Sequence, residues 1–405
     1  MLQSITMYDV VIIGAGPVGG RLATELSARG ISTLMIEEHA EIGRPFQCAG
    51  LVNPPAMEMV GLEDTILQNV DGALIHSPSG IMVPVGKDGR VRTHVVCRKK
   101  FDQGVVAQAM EKGAHLWLLS RPISAEVTKN GVNLVVEREG EITEVSCKLL
   151  VGADGAHSWT RRYFKMGRPK EMMIGFQADV SGLSGKDNWL EMYTGKDIAP
   201  GLFAWVIPCG DNTHRIGLWG RAQDLEGRSV EQYYDTLISH PLWEERFSGM
   251  KEIARYCGPV PCGTIKKPFK DRVMVIGDAA GMAKPTTGGG IGPGFRQVEA
   301  IVDKLSLAIQ KDKLEASHLS SICKSFKSFR REQDRAMALR DLLVTIPTDE
   351  ELDSHFKMFN RPEILELINK EGDIEHPVPL GMTLMRKVPE FRKLAVKAGF
   401  KLLFA

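Results

Sequence analysis

The sequence predicts a mixed α/β (α+β) chain: a parallel βαβ core, an inserted antiparallel sheet and a helical C-terminal region. Three observations carry that expectation. Residues 8–38 read strand, glycine turn, helix, strand; residues 174–220 hold four strand-like runs bounded by Gly and Pro; beyond residue 315 the pattern is helical.

The first stretch is the most informative. Its apolar run at residues 10–13 suits a strand buried on both faces. Gly14-Ala15-Gly16-Pro17-Val18-Gly19 follows, with G-x-G-x-x-G spacing. Gly14 makes the tight turn, Gly16 leaves the backbone open to a pyrophosphate, and Gly19 lets helix and strand pack closely. A helical pattern comes next, entered through Pro17 and Val18, with Leu22, Ala23 and Leu26 on one face and Gly30 as its stop. The helix N-terminus offers free N–H groups and the positive end of a dipole to phosphate. A second apolar run, residues 33–36, stops at Glu37 and Glu38. Glu37 falls where an acid accepts hydrogen bonds from an adenosine ribose. Together these features make a Rossmann-like dinucleotide clamp.

Composition narrows the class. A chain of 405 residues allows two or three domains, and 43% apolar with 25% charged residues is ordinary for a globular protein. A formal net charge of +1 gives no field for nucleic acid, so no nucleic-acid partner is expected. No apolar run approaches the roughly 18–20 residues of a spanning helix. Residues 1–6 read as a short leader without a signal-type apolar core, and Met7 as an alternative start. The seven cysteines form no C-x-x-C, and Cys257 and Cys262 lack a nearby His or second Cys pair. No metal site is expected, and a reducing, cytoplasmic setting fits best.

Taken in order, residues 41–55 read as a loop. Cys48 lies within it next to Ala49 and Gly50, whose small side chains would let a planar ligand approach the backbone. Alone, Cys48 reads first as a small buried hydrophobe. Residues 72–98 alternate strands with Gly and Pro turns, and a strand ending at Arg98 feeds a helix over 100–112. A strand is expected at 114–120. From Ile123 an antiparallel meander turns at Asn130-Gly131 and at Gly140, then empties into Val151-Gly152-Ala153-Asp154-Gly155. The block 174–220 carries Trp189, Phe203, Trp205 and Trp219, which are either sheet core or the wall of an apolar substrate pocket. Residues 229–249 look helical and 253–270 extended.

Residues 273–276 form a buried strand, and Gly277-Asp278 puts a carboxylate at its C-terminal end. A glycine-rich loop at 285–294 leads into a helix with Val298, Ile301, Val302, Leu305 and Ile309 on one face. The final helix opens at Pro389, with Phe391, Leu394, Ala395, Ala398 and Leu402 on one face and Lys393, Lys397 and Lys401 on another. It reads equally as a peripheral membrane contact and as a helix docked on its own protein.

The order and placement of glycine motifs at 14–19, 152–155 and 277–290 resemble the FAD-binding architecture of the p-hydroxybenzoate-hydroxylase-like flavoproteins. That resemblance implies FAD as cofactor. It implies the ADP half on the first motif, Asp154 in the middle motif, and Asp278 on the ribityl hydroxyls. Arg98, in R-x-x-F-D, would lie beside the cofactor, with Ile123 as a further contact. The loop Gly288-Gly289-Gly290-Ile291 would aim a helix N-terminus at the pyrimidine edge and favour the anionic reduced flavin. On the same resemblance, FAD-binding segments span 7–70, 99–165 and 266–312. Substrate-domain strands fall at 71–98, a substrate sheet at 166–265 and C-terminal helices at 313–405.

Three runs resemble the geranylgeranyl reductase family more narrowly. They are Gln47-Cys48-Ala49-Gly50-Leu51-Val52, Phe203-Ala204-Trp205-Val206-Ile207-Pro208, and Gly277-Asp278-Ala279-Ala280-Gly281 continuing to Lys284-Pro285-Thr286-Thr287-Gly288-Gly289-Gly290-Ile291. Ile207 stands where that family has a second aromatic residue. The resemblance implies FAD-dependent reduction of isolated C=C bonds in the geranylgeranyl chains of archaeal ether lipids, with hydride from reduced flavin N5. The expected partners are a prenyl-lipid substrate and an electron donor such as ferredoxin or a reduced nicotinamide. Cys48, with Ala49 and Leu51, is expected against the flavin, Cys48 as the catalytic residue. Phe203, Trp205 and Trp219 are expected to wall the substrate tunnel. The alternatives are a hydroxylase of the same fold and a membrane-docking flavin electron carrier; scattered cysteines speak against the iron–sulfur domain of the latter.

Overall fold

The computed structural model describes residues 7–45, 48–86, 88–186, 188–345, 347–372 and 377–397, with side chains to residue 393. The chain opens with β1 (Met7–Ile13), α1 (Pro17–Ser27) and β2 (Thr33–Ile36). It continues through β3 (Leu51–Val52), α2 (Pro54–Glu58), β4 (Ile66–Val70), β5 (Gly72–His76), β6 (Met82–Val85) and β7 (Thr93–Val96). Next come α3 (Arg98–Glu111), β8 (His115–Trp117), β9 (Ser120–Val127), β10 (Val132–Arg138), β11 (Glu141–Gly152) and α4 (Trp159–Tyr163). The middle holds β12 (Glu171–Ser181), β13 (Trp189–Tyr193), β14 (Ala204–Pro208), β15 (Thr213–Arg221), α5 (Val230–Ser239) and α6 (Glu244–Phe247). After β16 (Lys251–Cys262), β17 (Phe269–Lys270) and β18 (Val273–Val275), helices follow: α7 (Ile291–Gln310), α8 (Ala316–Cys323), α9 (Lys327–Arg340), α10 (Asp349–Phe359), α11 (Pro362–Glu371), α12 (Pro377–Lys387) and α13 (Pro389–Lys397).

The first sheet has the order β17-β18-β11-β1-β2-β8, with the meander β9-β10 hung on β11. β1 lies between β2 and β11, parallel to both, and β18 runs parallel on the far side of β11. The period-2 geometry of β1 distributes its side chains. Val10 and Ile12 pack with Leu22, Leu26, Val298 and Ile301 under α1 and α7, whereas Val11 and Ile13 face the residues of the meander. Both faces are covered, which is why the strand reads as an unbroken apolar run.

The second sheet runs β16-β12-β15-β14-β13-β5-β6, antiparallel except where β13 pairs parallel with β5. One face lies under α5 and α6, with Tyr233, Tyr234 and Leu237 packed on Val180, Ile216 and Leu218. On its other face Ile207 and Leu190 pack on Val70 and Val95 of a three-stranded sheet, β3-β7-β4.

Several expected boundaries move, each for a local reason. The helix expected over 229–249 breaks into α5 and α6 because Pro241 forces His240 extended, at φ −68° and ψ 132°. The strand expected at 114–120 ends at Trp117: Glu37 N binds Trp117 O, Leu119 N binds His39 O, and Leu119 turns with φ 49°. α3 begins at Arg98, two residues early. The glycine loop closes at Gly290, and α7 takes up Gly292, Pro293 and Gly294; a proline in a first turn loses no helical hydrogen bond. The described residues of the C-terminal region are mostly helical, including a π turn at Asp341–Thr345. In α13, Phe391 is fully buried against Leu339, Ile364 and Leu384. Ala398, Lys401 and Leu402 lie outside the described residues, as do the side chains of Leu394, Ala395 and Lys397. Among the described residues no helix is long and apolar enough to cross a membrane.

Candidate active site

The C-terminal ends of β2, β1, β11 and β18 lie side by side, since Ile13 is opposite both Ile36 and Gly152, and Gly152 is opposite Val275. An open parallel sheet places ligands at that edge. Gly14 N donates to Ile36 O at 2.8 Å, and Ala153 N to Ile13 O at 2.8 Å, so the first and middle turns are laced to adjoining strands. The two turns touch: a Cβ on Gly14 would stand 2.5 Å from Ala153 O, and one on Gly19 2.1 Å from Gly14 O. Gly16 is different. A Cβ there meets nothing within 4 Å, so that side of the turn opens outward at the N-terminus of α1, where Pro17 begins the helix and no side chain caps it. Val18 points inward instead, against Gly277 and Gly294.

Glu37 accepts from Ala15 N at 3.0 Å and from His39 N at 3.1 Å, with His39 Nδ1 at 2.6 Å. Its carboxylate is thereby held at the rim of the glycine turn. The neighbouring Glu38 side chain is 66% exposed. Ile123 lies at the break in register between β9 and β10. Asp154 turns back on its own chain: its carboxylate accepts from Ser158 Oγ at 2.6 Å, Thr160 N at 2.8 Å and Thr160 Oγ1 at 2.9 Å. Burial pushes this carboxyl's pKa up, opposed by those same bonds. Asp154 therefore fixes the middle turn to α4. From α4, Arg161 donates to Ala279 O at 2.9 Å and Ala156 O at 2.6 Å, tying the middle motif to the Gly277–Ala280 turn.

The far end of the site gathers Cys48, Arg98, Asp102 and Asp278. Arg98 forms a bidentate pair with Asp102, at 3.0 and 2.8 Å, from the first turn of α3. Burial works against the Arg98 charge, but Asp102 and a hydrogen-bonded Cys48 outweigh it and raise its pKa above the ordinary arginine value. Burial likewise pushes the Asp278 carboxyl up, to about 6, with Arg98 pulling in the other direction. Cys48 Sγ accepts from Gly50 N at 3.4 Å. Leu51 pairs with Val95, holding the Cys48 loop on β7. Gln47 lies outside the described residues.

Loop 284–290 closes over this cluster. Lys284 N binds Gly289 O at 3.1 Å and Gly288 N binds Lys284 O at 2.8 Å; a Cβ on Gly290 would stand 2.5 Å from Asp278 Oδ1. Ile291 begins the 20-residue α7, so the helix dipole points its positive end at the loop. Above it, Trp219 is 2% exposed, its ring 3.2 Å from where a Gly288 Cβ would be. Phe203 meets Trp219 edge-on at 5.7 Å and Trp205 at 6.4 Å. Trp205 touches both this aromatic cluster and the cluster that includes Ala49 and Leu51. Trp189 stands apart, against Gly72 and beneath Lys186. A cleft of about 630 Å³ between α9 and α12, lined by Arg331, Arg335 and Arg386, holds none of the glycine motifs.

The residues present fit FAD. The open side of Gly16 and the uncapped α1 N-terminus suit a pyrophosphate, and Glu37 a ribose. The buried Thr287 Oγ1 and the indole N–H groups of Trp205 and Trp219 have no hydrogen-bond partner among the described residues. Buried polar groups are normally satisfied, so these are available to a polar ring system seated on the loop. Sequence reasoning did not single out His39 or Arg161. It also missed Arg340, which is 5% exposed and donates to Pro285 O at 3.1 Å and to both oxygens of Glu171.

Fold and site together define an FAD-dependent oxidoreductase, and the model of the FAD binding domain family matches residues 7–320. A digeranylgeranylglycerophospholipid reductase of Methanocaldococcus jannaschii is 35% identical over 70% of this chain and 73% of its own. A second, from Methanothermobacter thermautotrophicus, is 30% identical over 86% of this chain and 90% of its own. A solved geranylgeranyl bacteriochlorophyll reductase-like protein of Thermoplasma acidophilum shares the fold, with TM-score 0.85, 23% identity, and coverage of 98% of this chain and 100% of that one. The chain belongs to the geranylgeranyl reductase family of FAD-binding flavoproteins, and flavin-dependent reduction of geranylgeranyl chains is the activity of that family.

Proposed function

We propose that the protein saturates isolated C=C bonds in the geranylgeranyl chains of a digeranylgeranyl glycerophospholipid of the archaeal ether type. The observation that carries this reading is the position of Trp205. Its ring packs with the Trp219–Phe203 cluster and also on the Val70–Val95–Ile207 core that receives Ala49 and Leu51, so apolar surface runs towards the loop that carries Cys48 beside Arg98.

FAD held by Glu37, the α1 N-terminus and loop 284–290 would, once reduced, supply hydride chemistry to the alkene. The protein's own groups do the rest. An unactivated alkene cannot delocalise developing charge, so acceleration must come from positioning and from excluding water. Phe203, Trp205 and Trp219 provide a water-poor surface for the prenyl chain. The Cys48 thiol, beside the Arg98 guanidinium, donates the proton to the second alkene carbon. The positive end of α7 and Lys284, which is 8% exposed, favour negative charge gathered at loop 284–290. Glu37 and the N-terminus of α1 hold the ADP half.

Anaerobic incubation of the dithionite-reduced, FAD-loaded protein with a digeranylgeranyl glycerophospholipid tests this reading. The expected product gains one H₂ per double bond by mass. Retained FAD with no such gain, or a hydroxylated product when oxygen is admitted, refutes it. Cys48→Ala should slow reoxidation of the reduced protein by alkene, and an unchanged rate removes the thiol from the reaction.

A further inference from the structure

We infer that Arg215 is a positioning residue: reaching across from the seven-stranded sheet, it sets the Cys48 loop in register with the strand that leads to Arg98. Arg215 lies on β15 directly opposite Asp179 of β12 and is 7% exposed. Its Nη1 donates to Ala49 O at 2.8 Å and to Val96 O at 3.3 Å, and Nη2 reaches Val96 O at 3.4 Å. Ala49 is the residue after Cys48, and Val96 is two residues before Arg98. One guanidinium thus spans the two backbone segments whose side chains meet at the reaction site.

The steric surroundings point the same way. Gly50 has φ +74°, and a Cβ on it would stand 2.3 Å from Arg215 Nη1 and 2.9 Å from Val96 O. The loop closes on the guanidinium so tightly that any side chain at residue 50 is excluded. Gly50 O accepts from Val96 N at 2.8 Å, completing a small ring of bonds around Arg215. Asp179 Oδ1, 3.9 Å from Arg215 Nε, supplies the balancing charge across the strands. The planar, multi-donor guanidinium suits this position, because it can serve two carbonyls at once where an ammonium serves one direction at a time.

The inference rests on reading Cys48 as a reaction-site residue, and its test keeps the two separable. In the full-length, FAD-loaded protein, the rate of Cys48 alkylation by iodoacetamide is followed by peptide mass mapping. The fully buried Cys147 serves as an internal control. Arg215→Gln should raise Cys48 alkylation several-fold while Cys147 stays protected. In the same variant the maximal rate of alkene-driven reoxidation should fall several-fold, with little change in the lipid concentration giving half that rate. Arg215→Lys, which keeps the charge and one donor direction, should fall between. Gly50→Ala should reproduce the effect with the arginine intact. Wild-type Cys48 alkylation in both Arg215→Gln and Gly50→Ala overturns the inference, as does acceleration shared equally by Cys147. Faster Cys48 alkylation with unchanged turnover supports the positioning role and counts instead against the thiol's part in the reaction.

Discussion

Gly16 and Gly19 are three residues apart in one turn, yet the structure assigns them opposite sensitivities to a single methyl group. At Gly19 the added Cβ would lie 2.1 Å from Gly14 O and 3.2 Å from Ala153 Cβ. The first contact is with backbone and cannot swing away, so the α1–β1 approach must widen. Overpacking of this kind costs about 1–3 kcal/mol, which Gly19→Ala should show with or without FAD. At Gly16 the backbone is extended, φ −76° and ψ −177°, with nothing within 4 Å of the new carbon. The gain of about 0.4–1 kcal/mol from restricting the unfolded chain is offset by alanine's poorer standing at a helix N-cap. The apoprotein melting temperature of Gly16→Ala should therefore stay near wild type. With the pyrophosphate at Gly16 as proposed, that methyl would occupy the space of its oxygens, and FAD affinity should drop by about 10- to 100-fold, or roughly 1.4–2.8 kcal/mol. Thermal melts of deflavinated protein and FAD titration by fluorescence quenching measure the two quantities separately. Wild-type FAD affinity in Gly16→Ala, or an apoprotein as destabilised as Gly19→Ala, would refute the placement of the pyrophosphate.

Other outcomes follow from the same geometry. The Asp278 carboxyl sits at about 6 in the protein without FAD, above its ordinary value, so the fold binds that proton more tightly than the unfolded chain does. Its contribution to stability is complete below about pH 4 and lost as pH rises through about 6; Asp278→Asn should remove this decline and stabilise the apoprotein at pH 7 by at most about 3 kcal/mol, read from melts across that range. Arg340→Met leaves Glu171, among the described residues, with the more distant Arg221 at 3.6 Å and should cost about 3–5 kcal/mol in chemical denaturation. A double change with Glu171→Gln should recover part of that loss. Trp219→Ala should cost about 3–5 kcal/mol and weaken lipid binding, measured by denaturation and by the lipid concentration for half-maximal turnover; a loss in only one would separate packing from pocket.

The parts of the site legible in the sequence are those whose cues are local. The β1–α1–β2 unit announces itself by an apolar run, glycine spacing and a stop glycine within about thirty residues. Asp278 is marked by its place at the end of a buried strand. Pro241 was also a readable signal, and the break between α5 and α6 follows from it. The rest is set by partners far along the chain. Leu119 takes a positive φ because His39 and Glu37 capture the neighbouring backbone. Arg161, Arg215 and Arg340 look in sequence like any surface arginine, and only the tertiary fold shows that each is buried on a distant carbonyl. The parallel pairing of β13 with β5 has no sequence mark either, since register between remote strands is settled by packing.

That pairing bears on how the chain is made. As synthesis proceeds, β5 and β6 emerge as a two-stranded hairpin, marginal by itself and unpaired along both edges. Their parallel neighbour β13 arrives only after the whole meander, and the sheet is not finished until β16. The dinucleotide edge waits as well: β1 pairs with β11, which in turn pairs with β18, and loop 284–290 comes later still. Such non-local pairing is slow to assemble and leaves surface exposed meanwhile. On the proposed FAD placement, no N-terminal fragment ending before Gly290 would carry every group assigned to the cofactor. On the proposed placement, retained FAD would report that the early glycine clamp and the late loop 284–290 have come together.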